Sequence, residues 1–588
     1  MSLYGILART EAARAELREG RWRLPPGFVQ DPARWWCDVS VGLLLCDAST
    51  RHQEGECSVS VLIGDALPAA GMELGAADRV DLRAADAVHG LRGAFACANW
   101  EPSRRRLTLQ RDHFGQREIF VRDDGDRLLF CSELPPLLDD PHYVRRLDLE
   151  SAVHFLLFGR PVLGRTLAAG VASIPAGHAL VWSPGCAPIV QRRYTPLAGE
   201  ARKVADPAWR AHIAAVLDEA ILARDDDNAA LLLSGGVDSS YIAATCASMR
   251  RAGGRTAYTI EFVDGDIENE TPYAALAASA AGLRHVVVPM THTDAARSLD
   301  QILAAAHPCS AWAAATHHHL CTRIAADGHR RLLSGLGADE IFGGYSQYLQ
   351  AYRRLRKRAL SWPDALGVDA FDALGWEPAL AAERMFAGVP RFFDAKARRE
   401  GLHPPFARWN HAPHLIAFYR ECRAIKPDAH LFEMMVAHEC QHRVPDLLLR
   451  GFEQIALAEG IVTRYPFLDP ELGRLACALG ASERFWLSGG RWKNKRLLRR
   501  IALDRLPTEL ITRRPVSYNA PIRRWLADPA VGGPILEATR SSAFWELSLV
   551  RREWFERLLV GIGDADAVCS PLAIEQIWIL IVLCAWYD

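Results

Sequence analysis

Apolar and polar positions follow two different rhythms along the chain, and the change comes near residue 200. Before it, apolar residues occur in short runs broken by turn formers, as at Val41 to Cys46, Val59 to Ile63, Arg106 to Gln110 and Glu118 to Arg122. Runs of that kind predict strands and a β-rich first domain. Ser183-Pro184-Gly185 marks its last clear turn, a short run follows at Arg192 to Tyr194, and the polar stretch from Gly199 to Asp206 sets the expected boundary between domains at 1–200 and 201–588. From Pro207 onward, strands at Asn228 to Leu233, Thr256 to Phe262, Arg284 to Pro289 and Arg331 to Ser334 alternate with Ala-rich helices at Ser239 to Arg250 and Thr271 to Ala281. That alternation predicts an α/β fold with a parallel sheet. The section from Tyr345 to Gln441 has helical periodicity without a readable motif. Ile577 to Tyr587 is apolar but far short of the roughly 20 residues a membrane span needs, which predicts a buried C-terminal helix.

Composition mainly excludes. The 588 residues leave room for about two to four domains, and with half of them hydrophobic a large core is available. Sixty-nine Lys and Arg against seventy Asp and Glu leave a net charge of −1, so no overall field would hold nucleic acid or an acidic membrane. The first thirty residues are charged throughout and lack the apolar run of a signal peptide. Fourteen cysteines without a C-x-x-C pair fit reduced thiols, and the expectation is a cytoplasmic protein. His317 and Cys321 stand four apart, a spacing that suits metal ligation, although a His-rich helix face is more often structural.

The densest chemistry lies at Leu231-Leu232-Leu233-Ser234-Gly235-Gly236-Val237-Asp238-Ser239-Ser240, between an expected strand and an expected helix. Two glycines let the backbone close around an anion, the serines and backbone N–H groups donate, and the helix directs its positive end at the charge. The Walker A lysine is missing, so this is a pyrophosphate cradle unlike that of a kinase or GTPase.

That string resembles the PP-loop of ATP pyrophosphatases, which adenylate a substrate by splitting ATP between its α and β phosphates. Three further strings are similar to motifs of the asparagine synthetase family: Ser334-Gly335-Leu336-Gly337-Ala338-Asp339-Glu340-Ile341-Phe342-Gly343-Gly344-Tyr345, the segment from Glu453 to Asp469 ending in Arg464-Tyr465-Pro466-Phe467-Leu468-Asp469, and Lys495-Arg496-Leu497-Leu498-Arg499. Gln110 to Arg117 resembles a segment of the family's glutaminase domain. The resemblance implies an N-terminal Ntn-hydrolase-like α+β sandwich and a C-terminal PP-loop ATP pyrophosphatase domain with a doubly wound parallel sheet and extra helices.

Departures from the family pattern narrow the expected chemistry. The family's glutaminase attacks glutamine with a cysteine at position two, where this chain has Ser2, and a hydroxyl is a far weaker nucleophile at neutral pH than a thiolate. The first domain is therefore expected to be a scaffold without glutaminase activity. Leu336 and Val462 stand where asparagine synthetases carry glutamates, and an apolar site disfavours free aspartate, whose charges need partners if buried. Amide formation by an amine already on the substrate remains, as in β-lactam synthetases and lasso peptide cyclases.

The leading expectation is a lasso peptide cyclase, an ATP-dependent macrolactam synthetase that adenylates an Asp or Glu side chain of a precursor peptide and closes a ring with its N-terminal amine. Its expected partners are the core peptide and a leader peptidase and leader-binding protein of the same pathway. The alternatives are a small-molecule amide or β-lactam synthetase, an asparagine synthetase using free ammonia, or a non-enzymatic ATP-binding relative. By resemblance, Ser234, Gly235, Gly236 and Ser239 hold the triphosphate of ATP, Asp238 and Asp339 hold Mg2+, and Leu233, Ile260, Ser334 and Gly335 flank the adenine. Glu453 is the expected base and Lys495 the stabiliser of developing negative charge, each with a structural reading beside it, an ion-paired helix residue and a surface lysine. Arg464 has two readings, a pyrophosphate contact and a structural ion pair. The long stretch between Leu336 and Glu453 is read either as a peptide-holding surface or as added helices.

Overall fold

A computed structural model of the chain describes residues 3–18, 35–38, 43–47, 52–54, 59–67, 91–162, 164–198, 207–226, 228–249, 255–263, 269–305, 308, 310–311, 313–346, 348–350, 392–409, 412–429, 431–513, 520–563 and 570–588. Ser2, the boundary stretch 199–206 and much of the central section lie outside them. Two compact units emerge, Met1–Ala152 with Pro161–Thr195, and Val153–Arg160 with Pro196–Asp588.

The first unit is built of two antiparallel six-stranded sheets. One runs in the order Val171–Ser173, Phe120–Asp123, Arg127–Cys131, Leu3–Ala8, Leu43–Asp47, Trp35–Asp38. The other runs Ile189–Arg192, His178–Trp182, Arg106–Arg111, Arg92–Glu101, Val59–Leu67, His52–Glu54. Leu3, Leu7, Leu128 and Phe130 of the first sheet share one core with Val61, Ala96, Trp100, Leu109 and Leu180 of the second, which makes the unit a sandwich. The Arg111 to Arg117 segment is a buried knot. The Asp112 carboxylate accepts backbone N–H groups from Phe114, Gln116 and Arg117 at 3.1, 3.0 and 2.8 Å, and Arg111 pairs with Glu118 at 2.8 Å. Burying a charge requires such partners.

The second unit carries a five-stranded parallel sheet in the order Arg284–Met290, Thr256–Phe262, Ala230–Leu232, Arg331–Leu333, Val462–Arg464. Its strands are rich in branched and aromatic residues; the inner strand Thr256–Phe262 is almost wholly buried, while the edge strand Arg284–Met290 is partly exposed. The fifth strand, Val462–Arg464, is not expected from pattern, since Val-Thr-Arg offers no apolar run. Helix Val237–Met249 follows the first strand and Thr271–Ala280 the second, within a residue or two of expectation.

Strand order reverses at Ala230–Leu232, so the chain leaves that strand and its neighbour Arg331–Leu333 in opposite directions. The C-terminal ends of these two strands border the crevice in which open α/β sheets bind ligands. Beyond the sheet come helices Ala395–Gly401, Ala412–Ile425 and Leu431–His438, then a π-helical stretch Glu439–Leu449 that runs into helix Arg450–Ala458. Helix Pro571–Tyr587 closes the unit, capped by Ser570 and with Pro571 in its first turn. Ten of its residues are buried on all sides, which explains an apolar run too short for a membrane. Among the described residues no helix is long and apolar enough to cross a membrane.

Candidate active site

The two motif loops that follow the central strands meet at a cavity of about 910 Å³, near the upper end of the ~300–1,000 Å³ range of small-ligand sites. Leu233, Ser234, Gly236, Asp238, Ser239, Ile260, Ser334, Gly335, Asp339 and Lys495 line it. Residues read from strings more than 250 positions apart thus share one wall system. Gly235 turns the loop behind that wall: its φ is +66°, and a Cβ there would stand 2.4 Å from the Tyr273 carbonyl carbon. The loop is held open by its own donors, with Gly236 N–H on Ser234 Oγ and Ser234 N–H on Ser239 Oγ, both at 3.2 Å. Helix Val237–Met249 begins there and presents its positive end.

Lys495 joins the two loops. Its Nζ lies 2.5 Å from Asp238 Oδ2 and 2.9 Å from Asp339 Oδ1, with the side chain 8% exposed. Burial works against the ammonium, but the two carboxylates outweigh it and hold the lysine above its usual range. Burial likewise raises the Asp238 carboxyl, opposed by Lys495. Lys495 has φ +55°, a strained backbone for a non-glycine residue that the surrounding contacts maintain. Gly344 is what leaves room for this cluster, since a Cβ there would fall 1.6 Å from Asp339 Oδ1 and 2.3 Å from Lys495 Cε.

The donor set suits a hard cation. Asp238 Oδ1 is buried with no hydrogen-bond partner, and Asp339 offers a second carboxylate. Among the described residues no group of three or more His, Cys, Asp and Glu could hold a metal alone. Two carboxylates completed by phosphate oxygens and water are what Mg2+ takes in nucleotide sites.

Three further cations face the cavity: Arg499, which closes the lysine motif, and Arg443 and Arg513, which pattern reading did not single out. Arg513 donates through Nη2 to Glu270 Oε1 at 2.6 Å, lies 4.4 Å over the Tyr273 ring, and leaves Nη1 buried and unpartnered. Only the fold brings it there from a segment without a recognised motif. Arg443 bridges Glu340 at 3.1 Å and Glu439 at 3.2 Å, while Tyr345 and Tyr348 donate to the same two carboxylates at 2.9 and 2.6 Å.

Burial lifts the Glu340 carboxyl to about 7 against the pull of Arg443. A carboxyl raised on folding stabilises fully below its unfolded value of 4.5 and loses that contribution as pH rises through about 7. Over that window Glu340→Gln should gain up to about 3 kcal/mol relative to wild type, read as the difference in denaturation midpoints at each pH. Parallel pH profiles for the two proteins would refute it.

Glu453 does not line the cavity. Helix Arg450–Ala458 turns Phe452 to the cavity and Glu453, about 100° further round, into the protein, where it is 3% exposed. Its carboxylate accepts the Tyr465 hydroxyl at 2.6 Å, and Tyr465 is the member of the pair that reaches the cavity. Val462 sits on its strand away from the cavity, and Leu336 lines it. Arg464 bonds to the Arg224 carbonyl and to Asp226, the structural ion pair of its two readings. His317 and Cys321 stand 3.6 Å apart with His317 packed on Phe452, and burial brings the His317 pKa down to about 4, so it faces the cavity as a neutral ring. With Leu320, Leu336, Leu447, Leu448 and Phe452 it makes that part of the cavity mainly apolar.

A family model described as asparagine synthase matches residues 212–587, and one described as a glutamine amidotransferase domain matches 80–195. A Mycobacterium tuberculosis (strain H37Rv) protein, provisionally named a glutamine-hydrolyzing asparagine synthetase, is 26% identical over 75% of this chain and 69% of its own length. Asparagine synthetase (glutamine-hydrolyzing) 3 of Bacillus subtilis (strain 168) is 26% identical over 54% of this chain and 55% of its own. Asparagine synthetase (glutamine-hydrolyzing) 1 of the same strain is 23% identical over 75% and 70%.

Proposed function

Because the chain belongs to the asparagine synthase family, whose members are ATP-dependent amide-forming ligases, we propose that it is a macrolactam synthetase of the lasso cyclase type. The observation that carries this reading is Leu336 and its apolar neighbours in the cavity where a substrate acid must sit beside the phosphate loop. Free aspartate would leave charges unpaired there, whereas a peptide brings apolar surface and a single reacting carboxylate. Ser2 in place of a nucleophilic cysteine supports an amine supplied by the substrate itself.

In this reading the substrate carboxylate oxygen attacks the α-phosphorus of ATP, and the α–β bridging oxygen leaves with pyrophosphate. Ser234, Gly236, Ser239 and Arg513 hold the leaving phosphates, and Lys495 stabilises the charge that develops on them. Asp238 and Asp339 would hold Mg2+, which supplies charge neutralisation on the phosphate oxygens. The peptide amine then bonds to the acyl carbon as AMP departs. Its proton passes to Tyr465 Oη while the Tyr465 proton moves to Glu453, along the 2.6 Å hydrogen bond. Closure depends on holding amine and adenylate together, where effective molarities reach about 10⁵ M or more. The core peptide, freed by a leader peptidase and delivered by a leader-binding protein, is the partner this reading requires.

The names of the relatives favour a second reading, asparagine formation, with free ammonia as the donor because Ser2 stands where the glutaminase cysteine would. Mass spectrometry decides between them after incubation of the full chain with Mg-ATP and a Gly-initiated peptide bearing one Asp, or with aspartate and ammonium. ATP-dependent loss of one water from the peptide, abolished in Asp238→Ala, supports ring closure. Asparagine formed with an unchanged peptide overturns it.

A further inference from the structure

Nearly every charged side chain facing the cavity already has a counterion or a hydrogen-bonding partner. Asp238 and Asp339 share Lys495, Glu270 pairs with Arg513, Glu340 pairs with Arg443, and Arg499 donates to the carbonyls of Asn494 and Ile511. Glu575 is the exception among the described residues: it lines the cavity with neither a salt bridge nor a hydrogen bond.

Its position is fixed by the residues beside it. Helix Pro571–Tyr587 is tied down by Gln576, which donates to the Phe392 carbonyl at 2.6 Å, and by Trp578, which donates to the Ser310 carbonyl at 3.0 Å. Ser310 and Phe392 line the cavity themselves, and Ser310 is fastened in turn to the Gly159 carbonyl at 2.7 Å. Glu575 itself is half-buried on that clamped helix, so its carboxylate is held in place and open to the cavity. Burial pushes its pKa upward, the mark of a charge without compensation.

An uncompensated carboxylate inside a cavity is satisfied by a cation that arrives with the ligand. One carboxylate offers too few oxygens for a divalent metal, while an ammonium needs one good acceptor. We infer that Glu575 is the recognition site for the amine component of the reaction, holding it as an ammonium that gives one proton to this carboxylate before the neutral amine enters acyl transfer. The inference rests on the proposed reading, since it names where that reading's nucleophile is held.

The test uses the full chain with Mg2+ and a non-hydrolysable ATP analogue, and compares hexylammonium with neutral 1-hexanol by calorimetry. Wild type should bind hexylammonium about tenfold or more tightly, Glu575→Asp should retain part of the preference, and Glu575→Gln should bind the two alike. A preference that survives in Glu575→Gln, or none in wild type, overturns the inference; thermal unfolding checks that both variants are folded. A Gly-initiated peptide bearing one Asp, with its N-terminus free or acetylated, separates the two readings. If neither form yields AMP and pyrophosphate while the hexylammonium preference depends on Glu575, the macrolactam reading fails and the ammonium site stands.

Discussion

Lys495→Met is expected to lower pyrophosphate formation about 10²- to 10³-fold, the usual loss when one preorganised charge stabiliser is removed. The lysine also bridges two half-buried acids and offsets their mutual repulsion. Without it, half-buried Asp238 and Asp339 lose the cation that lies 2.5 and 2.9 Å from their oxygens, at a cost below the ~3–5 kcal/mol of a fully buried pair. The stability deficit should shrink as Mg2+ is added, because a divalent cation replaces the missing charge. Its pH dependence follows from the raised lysine: the contribution is complete below the unfolded value of 10.5 and lost only above the folded one, so the deficit should be flat from about pH 6 to 9. Lys495→Arg should not rescue activity, since a planar guanidinium cannot sit as a point charge between two carboxylates at φ +55°. Pyrophosphate release assays and denaturation with and without Mg2+ test both parts. Full activity in Lys495→Met would remove the lysine from the chemistry.

Tyr465→Phe is expected to separate the two half-reactions. Adenylation uses the wall of Ser234, Ser239 and Lys495, whereas the Tyr465 hydroxyl donates to Glu453, so isotope exchange between pyrophosphate and ATP should stay within about threefold of wild type. Acyl transfer should fall about 10²- to 10⁴-fold, the range for loss of a positioned proton acceptor. Glu453→Gln should share the defect more mildly, because the hydroxyl keeps a hydrogen-bond partner at 2.6 Å while losing its proton sink. Single-turnover kinetics with a competent substrate measure the split. Equal loss in both half-reactions would mean that the pair supports the fold of the cavity and moves no proton.

What pattern alone could reach is visible in particular elements. The strand Thr256–Phe262 and the helix after it were legible because local alternation and Ala content specify them. Ser234, Asp238, Asp339 and Lys495 were legible because loop chemistry of that kind requires glycines and polar groups in fixed order. Glu453 was expected in the site on the same grounds, but one helical step decides which of two adjacent side chains faces a cavity, and packing gave that face to Phe452.

The sequence by itself determined the two-part organisation, the parallel α/β unit and the glycine- and serine-rich loop after its first strand, since each depends on residues close together in the chain. Only the tertiary structure decided that Tyr465, Arg513 and Glu575 face the same cavity as the phosphate loop, that Lys495 stands between two acids, and that Arg464 serves a structural ion pair. Those facts depend on strand order, on which side of a helix is covered and on which charges find partners, and these are settled by contacts between segments hundreds of residues apart.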